Sequence, residues 1–109
     1  ALSLAIAENP KINGHFDREA LLVQLHKNHD ISIAIDSPQG LVVPVLRNVQ
    51  EMSLIEVQDA IKSLQEKAVK GKLTKTDLEP GTLTISNIGS IGGSHAFPII
   101  YPPQMCIVA

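Results

Sequence analysis

Cysteine occurs once in the 109 residues, tryptophan not at all, and the aromatics amount to two Phe and one Tyr. A single thiol, Cys106, allows no internal disulfide and no multi-cysteine zinc site, and it suits a reducing compartment. Aromatics at 3% argue against stacking platforms for bases or sugars, and the core must be aliphatic. Charge of one sign is also lacking. Nine Lys and Arg stand against eleven Asp and Glu, for a net −2 with no basic stripe, which argues against nucleic acid as the main partner. No apolar run reaches the roughly 18 residues that span a bilayer, so no membrane span is expected, and nothing reads as a signal or transit peptide.

Aliphatic material is plentiful, with apolar residues at 44%, enough for one small core or a piece of a larger one. The chain opens inside an apolar pattern (Ala1, Leu2, Leu4, Ala5, Ile6) and closes inside another, "MCIVA". The expectation is therefore an internal piece of a longer chain.

Residues 1–8 read as a helix end, closed by Asn9-Pro10. "KINGHFD" reads as a loop. Leu21, Val23 and Leu25 alternate as in a strand, although Asp17 could cap a helix, and the strand reading is preferred. "ISIAID" predicts a strand with Ile31, Ile33 and Ile35 on one face. Ser37-Pro38-Gln39-Gly40 suits a tight turn, after which "LVVPVL" returns antiparallel. Pro44 has no N–H for the ladder, which places that strand at an edge or at a bulge. Ser53 and Glu56 form a capping box at the head of a helix whose stripe is Leu54, Val57, Ile61, Leu64 and Ala68, with Gly71 as its stop. Residues 82–88 predict another strand, and "AFPIIYPPQMCIVA" at least one more. The pattern implies an α/β (α+β two-layer) domain, helices laid on a mixed sheet.

Few residues stand out as chemistry. Thr82, Thr84 and Ser86 share a strand face, with Ser86 the last hydroxyl before the glycines at 89, 92 and 93. A hydroxyl there can donate to a developing oxyanion. It can also be a nucleophile, but the G-x-S-x-G elbow is absent, and a plain structural serine remains the commoner case. The glycines match neither a dinucleotide fingerprint nor a P-loop and read more simply as a turn needing positive φ. His26 and His29 face opposite sides of a strand, a poor arrangement for a shared metal, and no metal site is expected.

Three ordered motifs carry a resemblance: I-A-x-D-x-x-x-G-L-x-V-P at residues 33–44, D-L-x-x-G-T-x-T-x-S-N-x-G at 77–89, and P-P-Q at 102–104. Together they resemble the catalytic domain of the dihydrolipoyl acyltransferases of 2-oxo acid dehydrogenase complexes, with "SNIGSIGG" most like the branched-chain type. The resemblance implies a chloramphenicol acetyltransferase-like fold, a mixed sheet flanked by helices, of which residues 1–109 are an incomplete part, with the lipoyl and subunit-binding domains lying outside them. It implies transfer of an acyl group, of the branched-chain kind, from dihydrolipoyl-lysine on another domain to coenzyme A. A homotrimer would pack into a large core beside the dehydrogenase and dihydrolipoamide dehydrogenase components. Location would be the mitochondrial matrix in a eukaryote and the cytoplasm in a bacterium. By the same resemblance Ser86 stabilises the oxyanion, Asn87 and Gly89 bind substrate, and the histidine base of an H-x-x-x-D-G motif with its orienting Asp lies beyond Ala109. Two alternatives are a catalytically silent structural core subunit and a free-standing antibiotic acetyltransferase of the same fold.

Overall fold

A computed structural model describes residues 1–109. Helix α1 (Leu2–Glu8) ends at Asn9, where Pro10 opens a short 3-10 turn through Ile12. The segment read as a loop is instead a strand. β1 (Gly14–Asp17) pairs antiparallel with β2 (Leu22–Leu25), His15 lying opposite Gln24. Asp17 caps no helix. Its carboxylate accepts the N–H groups of Glu19 and Ala20 at 2.9 and 3.0 Å and closes the hairpin turn.

"ISIAID" is extended but shared between two sheets. β3 (Ile31–Ile33) joins the main sheet, and β4 (Ile35–Ser37) leaves it to form a hairpin with β5 (Gly40–Val42). Gly40 takes φ +110°, a conformation open to glycine at little cost. After β5 the chain breaks at Pro44 and resumes as β6 (Val45–Leu46). Pro44 contributes only its carbonyl, which accepts the N–H of Ile33 at 2.8 Å. The main sheet runs β6-β3-β7-β8, where β7 is Leu83–Ile85 and β8 is Ile107–Val108. β6 is antiparallel to β3, while β7 is parallel to both β3 and β8. Pro44 thus precedes an edge strand, as its missing N–H requires.

Helix α2 (Leu54–Val69) carries the capping box: Glu56 N–H donates to Ser53 Oγ at 3.2 Å and Ser53 N–H to Glu56 Oε2 at 2.7 Å. Gly71, at φ +64°, follows its end. Only the second half of the expected stripe is covered. Leu64 and Ala68 are buried, Val57 and Ile61 half-buried, and Leu54 is 84% exposed. The first turns border an open apolar groove of about 160 Å³ against Leu2, Ile33, Leu46 and Ile85. Beside this groove, Ile6, Ile31 and Leu83 form the core, with Ile12, Val49 and Cys106 packed around them. No helix is long and apolar enough to cross a membrane.

Candidate active site

Strand β7 and the residues after it build the site. Asp77 lies midway along the connector between α2 and β7, residues 70–82. Its carboxylate accepts the N–H of Thr74 at 3.0 Å and an ammonium proton of Lys67 at 3.5 Å, and Thr74 chiefly holds its pKa below the usual carboxylate range. The carbonyl of Asp77 receives the N–H of Val45 at 2.9 Å, which fastens the connector to β6. Gly81 comes next. Its N–H donates to Ser32 Oγ at 3.0 Å, and a Cβ there would collide with the backbone carbonyl of Asp30.

The hydroxyl face of β7 is not solvated. Thr82 and Thr84 are buried, as is Ser32 alongside. Thr82 donates to Asn13 Oδ1, and Asn13 Nδ2 donates in turn to the carbonyls of His26 and Asn28, both at 3.0 Å. Thr84 donates to Gln104 Oε1 at 2.6 Å, and Gln104 Nε2 donates to Gly81 O at 2.8 Å. Buried polar groups require such partners. Asn13 and Gln104 are therefore part of the site's support, and neither was picked out from the sequence. The P-P-Q motif was a signal for Gln104; Asn13 had none.

β7 ends at Ile85, three residues short of the expected strand end, so Ser86 stands just past it. The Ser86 N–H donates to Val108 O at 2.7 Å, which fixes its backbone. Ser86 is half-buried, and unlike Ser32, Thr82 and Thr84 its hydroxyl has no partner within the chain. It lies at the junction of two cavities. One, of about 290 Å³, is bounded by Ala34, Asp36, Gln65, Asn87 and Ser90. The other, of about 360 Å³, is bounded by Val43, Thr84, Phe97, Ile99 and Tyr101.

Asn87 accepts the N–H of Gly89 at 2.9 Å and thereby shapes the turn after Ser86. The positive φ values expected of the glycines occur at Gly92 and Gly93 but not at Gly89. The N–H groups of Ile91 and Gly92 both donate to Ile88 O at 3.0 Å, so these amides are turned inward and do not cradle an anion.

No histidine lines either cavity. His29 shares a hydrogen bond of 2.7 Å with Ser3, and His95 one of 3.1 Å with Ser94. His15 and His26 meet edge to face, ring centroids 4.1 Å apart, with both Nε2 atoms buried and unpaired. Burial, and then the neighbouring His26, lower the pKa of His15. Nowhere do three His, Cys, Asp or Glu side chains converge as metal ligands would.

Similarity to known proteins agrees with this architecture. Residues 1–109 match the family described as 2-oxoacid dehydrogenases acyltransferase (catalytic domain). The lipoamide acyltransferase component of the mitochondrial branched-chain alpha-keto acid dehydrogenase complex of Arabidopsis thaliana is 39% identical over all of this chain and 23% of its own length. The succinyltransferase component of the 2-oxoglutarate dehydrogenase complex of Haemophilus influenzae is 42% identical over 95% of this chain and 25% of its own. The chain thus spans about a quarter of these relatives. Among solved structures, a dihydrolipoamide acetyltransferase of Azotobacter vinelandii, investigated for the roles of a serine, a histidine and an asparagine in its catalytic mechanism, superposes with TM-score 0.91 at 33% identity. It covers 97% of this chain and 44% of its own. The cubic core of a pyruvate dehydrogenase multienzyme complex superposes equally well, at the same identity and coverage. Matched over its whole length by that family, and folded like its solved catalytic cores, this chain belongs to the 2-oxoacid dehydrogenase acyltransferases, as part of their catalytic domain.

Proposed function

We propose that the protein transfers an acyl group from the dihydrolipoyl-lysine of another domain to coenzyme A, and that Ser86 donates the hydrogen bond that stabilises the oxyanion. The observation that carries this reading is the free hydroxyl of Ser86, held by a fixed backbone where two cavities meet. A base takes the proton of the coenzyme A thiol, and the thiolate adds to the thioester carbonyl. Negative charge gathers on the carbonyl oxygen, where the Ser86 hydroxyl points its proton. Collapse expels the dihydrolipoyl thiolate, which takes the proton back. The protein needs only a base and an oxyanion donor, because the nucleophile belongs to the substrate.

The base in this reading is the histidine of an H-x-x-x-D-G motif with its orienting Asp; no histidine of residues 1–109 lines either cavity. Asn87 and Gly89 hold the turn that sets Ser86 in place, and Asn87 also faces substrate in the first cavity. The acyl group is of the branched-chain kind, a reading that rests on the "SNIGSIGG" stretch, since identity to the branched-chain and 2-oxoglutarate relatives is alike. A homotrimer built into a large core, serving the dehydrogenase and dihydrolipoamide dehydrogenase components, fits the likeness to a cubic core. In a eukaryote the location is the mitochondrial matrix, and in a bacterium the cytoplasm.

The test is acyl transfer to coenzyme A by the full-length protein and by Ser86→Ala. Loss of one oxyanion donor lowers kcat about 10²–10³-fold, with KM little changed because the bond forms mainly in the transition state. A wild-type protein that assembles and transfers nothing is instead the silent core subunit. A Ser86→Ala protein with full kcat removes Ser86 from the chemistry.

A further inference from the structure

An acyl substituent is bonded directly to the carbonyl carbon that Ser86 addresses, so it must occupy a cavity that touches Ser86. Two cavities do. Their walls differ in chemistry. The first is mixed: aliphatic side chains, Ile88 and Ile91 among them, stand beside the carboxylate of Asp36, the carboxamides of Gln65 and Asn87 and the hydroxyl of Ser90. An aliphatic group placed there would meet those side chains but would also strip water from a carboxylate and two carboxamides, groups the second cavity lacks. The second is walled by Val43 and Ile107, with Phe97 and Ile99 at its mouth. Its hydroxyl-bearing Thr84 is committed to Gln104 at 2.6 Å, so Thr84 offers the cavity its methyl group rather than a donor. Beyond Thr84 and Tyr101 the same walls continue into a recess of about 290 Å³ bounded by Leu78 and Pro80.

From this contrast we infer that the apolar cavity receives the acyl substituent, that Val43 in its wall sets how large an acyl group the site accepts, and that the polar cavity receives the amide-bearing arm of a thiol substrate. The inference rests on the acyl-transfer reading above. Val43 is singled out by its position. It is half-buried and lines the apolar cavity and its recess but not the polar one. Leu41 borders all three and so cannot separate them. Phe97 and Ile99, at 90% and 87% exposed, form only the rim. Val43 is also held firmly, since the buried ring of Pro44 follows it. Gln65 is the counterpart on the other side, an exposed residue of α2 that lines the polar cavity and not the apolar one.

The experiment compares kcat/KM for acetyl, isobutyryl and isovaleryl thioesters of dihydrolipoamide, with coenzyme A as acceptor and full-length protein throughout. Val43→Phe is expected to lower the isobutyryl-to-acetyl ratio about 10-fold or more, the discrimination a pocket makes over a methylene or two. Val43→Ala is expected to move preference toward isovaleryl while keeping acetyl transfer, which tests the wall without crowding it. Gln65→Ala is expected to raise KM for a thiol substrate and to leave the acyl ratios alone. Ratios within twofold of wild type in both Val43 variants overturn the inference, as does a Gln65→Ala protein whose acyl ratio shifts like theirs. A wild-type protein that transfers none of the three acyl groups overturns the acyl-transfer reading itself, a result distinct from either.

Discussion

Thr84 and Gln104, 20 residues apart in sequence, hold each other inside the protein: the threonine hydroxyl donates to the carboxamide oxygen at 2.6 Å while the carboxamide N–H₂ reaches Gly81 O at 2.8 Å. Both side chains are buried. Thr84→Val keeps the shape and strands Gln104 Oε1 without a donor, a loss of about 1–3 kcal/mol. Denaturant titration of the full-length protein checks this, and an unchanged midpoint would mean that water takes the place of the hydroxyl.

Gly81→Ala is expected to be the more damaging change. The new Cβ would meet the Asp30 carbonyl, and Ser32 Oγ at 2.7 Å. The first contact is backbone and can yield only if β3 and the start of β7 move apart. Overpacking of this kind typically costs about 1–3 kcal/mol, so soluble yield and denaturation midpoint should both fall. A fully stable Gly81→Ala protein would contradict the close approach of these two segments.

Stability is expected to fall on mild acidification through His15. Burial, and then the charge of His26, hold its pKa below the ordinary imidazole value. The residues paired with it, Gln24 and Gln104, are neutral and offer a second charge no compensation. The unfolded chain therefore takes the proton first. The full stability is present above about pH 6.5 and declines as pH drops below that toward the folded value. Midpoints measured from pH 7.5 to 5.5 should show a slope that His15→Gln flattens. An identical slope in the variant assigns the effect to other groups.

Ser86→Cys separates two roles for one hydroxyl. If Ser86 donates to an oxyanion, the thiol is a poor substitute because S–H is a weak donor, and kcat stays near that of Ser86→Ala. If the residue were a nucleophile, acyl-enzyme would accumulate on the cysteine and be visible as added mass. Detection of that adduct sinks the direct transfer between thiols.

What could be read in the sequence was what depends on neighbours in sequence. The capping box of Ser53 and Glu56, the Pro38-Gln39 turn and the edge position forced by Pro44 are each settled within a few residues. The failures came where distant segments decide. Alternation puts Thr82, Thr84 and Ser86 on one face; what covers that face, Asn13 over the first and Gln104 over the second, comes from distant segments. β1 was missed because Gly14, His15 and Asp17 resemble a loop until β2 pairs with them. The stripe of α2 promised burial along the whole helix, yet Leu54 has nothing packed over it. Ser86 was found by its motif, while its unpaired hydroxyl became visible only once its neighbours were seen to be bonded.

The parallel pairing of β3 with β7 bears on the order of synthesis. Ile31 is matched with Leu83, and Asp30 N–H donates to Thr82 Oγ1 across 52 positions. At about 5–20 residues per second, a ribosome delivers β7 roughly 3–10 s after β3. For that interval one side of β3 has no strand to pair with, and Asn13 has no hydroxyl to receive. The central half of the sheet therefore assembles late, after α2 has emerged, and the nascent chain spends those seconds with an apolar strand edge open to chaperones or to another nascent copy of itself.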